Sequence, residues 1–262
     1  MGFQSNNLLV TGGAGFIGSN FIKYILDKYK NLKVYNLDLL TYAGDLNNTK
    51  QFSANSRYKF IKGDINDKIL IEDIFSDYKI DGVINFAAET HVDNSIKNPE
   101  IFIKTNIDGV FNLLNFANKF WMDKPFKPKK NHAYSRFHQV STDEVYGSIY
   151  TGSFSENSPY RPNSPYSASK ASADHIVRSF NKTYGLNSTI SICSNNFGLN
   201  QNKEKLIPKI LYNIKNDIST KIYGDGKNIR EWIHVTDHCK AIEQIFNNSK
   251  AGEVYNVGSE NE

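Results

Sequence analysis

Two rhythms of apolar and polar positions alternate along this chain. Short apolar runs predict strands at "NLLV" (7–10), "KVYNL" (33–37), "YKFI" (58–61), "GVINF" (82–86), "RFHQV" (136–140) and "STISI" (188–192). The fifth is the least apolar. Between the runs, apolar residues recur at helical spacing. Ile17, Phe21 and Ile25, with Ile22 and Leu26, predict a helix over 16–29. Ile71, Ile74, Phe75 and Tyr78 predict another over 67–78, with Asp67 as its N-cap. Further helices are expected at 96–120, 165–184, 204–216 and 236–247. Strands that alternate with helices pair in parallel through crossovers and are covered on both faces. The expected fold class is therefore α/β, a doubly wound parallel sheet. After about residue 195 the rhythm loosens into short runs ("KIYGDG", "EVYNVG"), which predicts a smaller C-terminal lobe over 195–262 beside a main domain of 1–194, with some late segments free to rejoin the sheet.

Composition narrows the classes. The chain has 262 residues, 39% of them hydrophobic, and a net charge of +4. No Lys/Arg stripe with interleaved aromatics is present, so nucleic acid is not an expected partner. The basic run "KPFKPKK" (124–130) is interrupted by two prolines and reads as a solvated connection. Cys193 and Cys239 share no short spacing, which suggests neither a disulfide framework nor a metal cage and suits a reducing cytoplasm. His234 and His238 stand four apart without a third ligand at suitable spacing, so no metal is expected. The N-terminus lacks a signal-peptide pattern, and Asn6 stands where myristoylation needs Ser or Thr. No apolar run approaches the roughly 18 residues that span a bilayer.

Candidate chemistry begins at "VTGGAGFIG", which follows the first strand and opens the first helix. Gly12, Gly15 and Gly18 permit a tight turn, close approach of backbone N–H groups to a pyrophosphate, and close helix packing. Asp38 ends the next strand, where a carboxylate accepts hydrogen bonds from both adenosine ribose hydroxyls and repels a 2′-phosphate. That context predicts a Rossmann-type site for NAD rather than NADP. Asp64, in "KGDIND", is either an adenine contact or a helix N-cap. Tyr166 and Lys170, in "YSASK", share one helix face. A free tyrosine has a pKa of about 10, and a nearby ammonium lowers it.

These residues resemble the extended, nucleotide-sugar-modifying branch of the short-chain dehydrogenase/reductase superfamily, and within it the nucleotide-sugar 4,6-dehydratases. The resemblance covers nearly the whole chain: "TGGAGFIGSN", "DLLTYAGDLNN", "GDIND", "NFAAETHVDNSI", "STDEVYG", "SPYSASKASADH", "CSNNFG", "EKLIP", "YGDGKNIREWIHVTDH" and "AGEVYNVG" match in order. Epimerases of the branch usually lack the adjacent acids of "STDEVYG".

The resemblance implies a catalytic set of Thr142, Asp143, Glu144, Tyr166 and Lys170. Tyr166 takes the proton of the sugar 4-hydroxyl as C4 is oxidised, with Thr142 on the same oxygen. Glu144 removes the C5 proton, Asp143 protonates the departing C6 hydroxyl, and the hydride returns to C6. NAD is regenerated each turnover, so it is expected to be tightly bound. Adjacent like charges are expected to push the two carboxyl pKa values apart. Because strand neighbours face opposite ways, the strand must end at Thr142. Expected cofactor contacts are Gly12, Gly15, Phe16, Ile17, Gly18, Asp38, Leu39, Thr41, Asp64, Ile65, Ala87, Ala88, Thr105, Tyr166, Lys170 and Asn196. Expected substrate contacts are Thr90, Thr142, Asn195, Lys205, Leu206, Tyr223 and Arg230. Arg230 suits a diphosphate clamp because its planar fork pairs with phosphate oxygens; its alternative is a surface ion pair with Glu231 or Asp237.

The resemblance also implies dTDP-glucose as substrate, with UDP-glucose as the alternative, and a homodimer through helices of 96–120 and 165–184. Departures are Phe197 and Leu199 where the family has Tyr and Pro, and Ile192 in place of a polar residue. Family members continue for several dozen residues past "YNVGSENE", completing the nucleotide pocket. A catalytically silent NAD-binding module is the reading from another class.

Overall fold

The computed structural model describes residues 3–220 and 226–259. The first half alternates strictly: β1 (Asn7–Thr11), α1 (Phe16–Lys28), β2 (Lys33–Asp38), β3 (Tyr58–Lys62), α2 (Lys68–Tyr78) and β4 (Gly82–Asn85). Three helices follow, α3 (Val92–Lys97), α4 (Pro99–Ile103) and α5 (Gly109–Trp121). A small antiparallel hairpin, β5 (Met122–Lys124) and β6 (Lys127–Pro128), makes an exposed connection out of the basic run. Then come β7 (Arg136–Thr142), α6 (Pro165–Tyr184), β8 (Ser188–Cys193) and β9 (Asn195–Phe197). The last elements are α7 (Leu206–Lys215), β10 (Trp232–His234), α8 (Val235–Asn248) and β11 (Val254–Val257).

Seven strands form one parallel sheet in the order β11-β8-β7-β4-β1-β2-β3. The order reverses between β1 and β4, which opens a crevice above their C-terminal ends. One apolar layer packs α2, α5 and α6 on one face, through Phe75, Leu113, Phe137 and Val177. A second packs α1 and α8 on the other, through Phe21, Ile25, Ile242 and Phe246. Among the described residues, no helix is long and apolar enough to cross a membrane.

All six expected strands form. The low apolarity of the fifth has a structural reason. His138 is fully buried and bonds Thr189 Oγ1 at 2.9 Å and Ser191 Oγ at 3.0 Å, and burial lowers its pKa to about 3. Gln139 accepts from Asn85 at 2.8 Å, and Asn85 in turn accepts from Thr11 at 2.5 Å. These polar side chains are inside because each finds a partner on the next strand. The expected helix over 96–120 is interrupted: Pro99 has no amide hydrogen to continue α3, so it starts α4, and a wide turn at 104–108 precedes α5.

Late segments return to the sheet. β11 extends it beside β8, and α8 packs on α1. Glu243 of α8, only 2% exposed, accepts from Tyr24 at 2.5 Å, from Lys28 at 2.7 Å and from the Tyr29 hydroxyl. Three donors at the end of α1 thus hold one carboxylate of a distant helix. Replacing Glu243 with Ala removes the shared acceptor; urea unfolding is expected to show a loss of about 2 kcal/mol.

Candidate active site

A cleft of about 500 Å³ lies over the C-terminal ends of β1, β2, β4, β7 and β8. One end is the glycine turn. Gly12 has φ +69°, and a Cβ there would stand 2.7 Å from the amide nitrogen of Ala87. That close approach of the β1 and β4 ends leaves room for glycine alone. Gly15 is the N-cap of α1 and brings no capping side chain, so the first turn's N–H groups are left for the cleft. Gly12, Gly15, Phe16, Ile17 and Gly18 all line it.

Asp38 sits at the same end. Its carboxylate accepts from Ala14 N at 2.9 Å and Leu40 N at 2.8 Å, which orients it without using every lone pair. Burial raises its pKa, and those two bonds oppose the rise. Leu39, Thr41, Ile65, Ala87, Ala88 and Thr105 line the cleft beside it. Asp64 also lines it and accepts from Asn66 N at 2.8 Å, while Asp67 caps α2 through Ile69 and Leu70. A buried carboxylate with a backbone-lined glycine cradle fits a dinucleotide whose ribose and pyrophosphate lie at these two places.

At the other end β7 stops at Thr142, and 143–146 makes a single tight turn. The Thr142 hydroxyl accepts from Glu144 N at 3.4 Å and donates to Asp143 Oδ1 at 3.3 Å. Gly147, at φ +88°, lets the chain leave against Arg161, where a Cβ would meet a carbonyl oxygen at 2.2 Å. Both carboxyl groups therefore open into the cleft, together with Tyr166 and Lys170 from the first turns of α6. That helix starts from a reciprocal Ser164–Ser167 cap with Pro165 in its first position.

Withdrawal from water dominates the electrostatics. Burial raises the pKa of Asp143, opposed by the Thr142 hydroxyl and the Arg230 charge. Burial also raises that of Glu144, with the Asp143 charge second and Arg230 and Lys205 opposing. Mutual repulsion of the acids is thus the lesser influence, and both values move the same way. Tyr166, 7% exposed, is held well above its ordinary range by burial and then by the Glu144 charge, with Thr142 opposing. Lys170, expected to lower Tyr166, is itself buried: the ammonium donates to Val140 O at 2.7 Å, and burial lowers its own pKa.

On the substrate side, Thr90, Asn195, Lys205, Leu206 and Arg230 line the same cleft, as does Asn196. Tyr223 lies outside the described residues. β9 pairs with β10, and Asn195 donates to Glu231 O at 3.2 Å. Asn196 accepts from His238 Nδ1 at 2.8 Å. His234 instead caps α8. The two histidines are therefore tied to separate structural tasks. Arg230 lines the cleft, and its charge opposes the rise of both acids.

Sequence reading missed Tyr42 and Glu89. The Tyr42 hydroxyl lies 3.1 Å from Thr90 Oγ1, and Glu89, 6% exposed, lines the cleft with a pKa raised by burial. Asn106, inside the wide turn, clamps the Glu89 backbone through bonds of 2.8 and 3.0 Å. The available signal was an asparagine set within an apolar helical pattern.

A family model described as GDP-mannose 4,6 dehydratase matches residues 9–262. The dTDP-glucose 4,6-dehydratase of Xanthomonas campestris pv. campestris (strain B100) is 47% identical over 255 residues, 97% of this chain and 71% of the relative's length. A solved dTDP-glucose 4,6-dehydratase from Bacillus anthracis, in complex with NAD, superposes with a TM-score of 0.87 at 45% identity, over 97% of this chain and 76% of that one. The dTDP-glucose 4,6-dehydratase of Streptomyces venezuelae, with NAD and TYD bound, gives 0.87 at 43% identity, over 96% and 75%.

The glycine cradle offers a test independent of activity. Gly12→Ala places a Cβ against Ala87 on a strained backbone, and thermal unfolding is expected to show a loss of about 2 kcal/mol or more.

Proposed function

This chain belongs to the family described as GDP-mannose 4,6 dehydratase, and on that premise we propose that it dehydrates a nucleotide-linked glucose, with dTDP-glucose as substrate and NAD as resident cofactor. The observation that carries the reading is the turn at 143–146, which brings two adjacent acids into one cleft with Tyr166 and the glycine cradle. NAD held by the cradle, Asp38, Thr105, Lys170 and Asn196 would supply the reversible hydride acceptor that the cycle needs.

The rest of the chemistry belongs to side chains. Tyr166 takes the proton from the sugar 4-hydroxyl, and Thr142 hydrogen-bonds the same oxygen. Burial keeps the phenol protonated; positive charge from Lys170, and from an oxidised cofactor when bound, would offset that burial. With C4 a ketone, the C5 proton becomes acidic. Glu144 removes it, and Asp143 gives its proton to the leaving C6 hydroxyl. The two acids titrate as a coupled pair, one proton short of full protonation when the site is ready. Arg230 and Lys205 hold the diphosphate. A site division at about residue 194, with catalysis on the sheet and nucleotide recognition on the elements after it, follows from the same reading. So does a homodimer through the helices of 96–120 and 165–184, which the exposed Ile101 and Ile103 of α4 and Phe111 of α5 support.

The test is turnover of dTDP-glucose and UDP-glucose in parallel, without added NAD, followed by the alkali-induced absorbance of a 4-keto-6-deoxy sugar. Asp143→Asn and Glu144→Gln are each expected to lower kcat by about 10²-fold or more. Because Glu144 must be ionised and its pKa is raised, the rate should climb with pH through a value above the ordinary 4.5. Faster turnover of the uridine sugar would move the substrate assignment. No product from either sugar, even with NAD added, would favour the silent binding module.

A further inference from the structure

Lys170 presents a physical difficulty. An ammonium that is 4% exposed has lost nearly all its hydration, and one carbonyl bond, to Val140 at 2.7 Å, does not replace it. Four residues further along α6, on the same stripe as Tyr166 and Lys170, lies Asp174, fully buried. It does not line the cleft. Its Oδ2 accepts from Ser141 Oγ at 2.6 Å and from Tyr160 at 3.3 Å, and its Oδ1 is buried without a hydrogen-bond partner. Ser141 follows Val140 in β7, so ammonium and carboxylate are anchored on consecutive residues of one strand.

We propose that Asp174 is a positioning residue that serves as the counter-charge keeping Lys170 an ammonium beneath the cofactor end of the cleft. This rests on the reading that gives Lys170 its part in the reaction. The influence runs both ways: Asp174 is the leading support for the charge on Lys170, and Lys170 is the leading support for the charge on Asp174. Burial nonetheless raises the Asp174 carboxyl to about 6, so it is ionised at neutral pH and lost below that. Other groups face the pair. Arg178 lies one turn further on α6 but is exposed and weaker; Tyr160 and Tyr146 come from the segment before α6, and Cys193 from β8. Burial raises all three toward protonation, so the carboxylate is the one anion among them at neutral pH.

Asp174→Asn keeps the shape and removes the charge. In holoprotein labelled with ¹⁵N at lysine Nζ, the Lys170 signal is assigned by its loss in Lys170→Met. It is expected to lose its proton about one pH unit lower in Asp174→Asn than in the parent, a tenfold change in the charged fraction where the two curves separate. At pH 8, kcat is expected to fall about fivefold with KM within about twofold, because the substituted group acts through Lys170 rather than on the substrate. Asp174→Glu is expected to restore both readings. Lys170 titrating at the same pH in Asp174→Asn overturns the proposal, as does a kcat loss of equal size at every pH. Should Asp174→Asn not fold, the parent protein decides: the Lys170 signal moves as Asp174 titrates near pH 6, and a signal that stays still overturns the idea. A parent that turns over neither sugar refutes the dehydratase reading instead, and leaves the ¹⁵N result to stand by itself.

Discussion

Neighbouring side chains of a β-strand point to opposite faces of the sheet, so two adjacent acids can serve one substrate only where the strand has stopped. The site depends on that constraint being met at Thr142. Its hydroxyl takes the Glu144 amide, Arg161 donates to Val145 O at 2.9 Å, and Gly147 adopts a backbone that other residues resist. A strand that continued through Glu144 would turn the two acids to opposite faces of the sheet and leave only one of them in the cleft. The turn falls at the C-terminal edge of the sheet, beside the start of α1 and the start of α6. The cofactor cradle, the tyrosine and the acids consequently share one cleft.

Within that cleft, chemistry is set by how far each group is taken out of water. Asp143, Glu144, Asp38, Glu89 and Tyr166 all shift upward with burial as the first cause; a charged neighbour comes second only for Glu144 and Tyr166, while hydrogen bonds oppose the rise at Asp143 and Asp38. Lys170 shifts down for the same reason. Loss of water thus moves each of these groups toward its neutral form, the acids upward and the ammonium downward. In the interior beneath, Thr11, Asn85, Gln139, His138 and Ser141 are buried polar groups that each bond a neighbour.

Residues far apart in the chain complete the arrangement. Glu243 ties α8 to the end of α1, and β11 extends the sheet beside β8. His238 reaches back from α8 to hold Asn196, and Arg230 approaches from the loop before β10 to act on both acids. These contacts tie α8 and β11 to the sheet and its helices, while two β9 residues and the loop before β10 line the one cavity.

Much of this was legible in the residues themselves. Strand and helix periodicity is a local property, so β1 to β4, β7, β8, α1, α2 and α6 could be read from spacing alone. The glycine turn and Asp38 follow from backbone geometry that only certain residues permit. What local pattern could not supply was through-space distance. The break of the expected helix at Pro99, the approach of Tyr42 to Thr90, the burial of Glu89 and the direction of the Lys170 ammonium depend on what packs opposite. The ranking of burial over charge repulsion at Asp143 and Glu144 depends on it too. Sequence determined which residues were available to the site; tertiary structure decided which of them lost water and to whom they turned, because desolvation and hydrogen-bond partners exist only once distant segments meet.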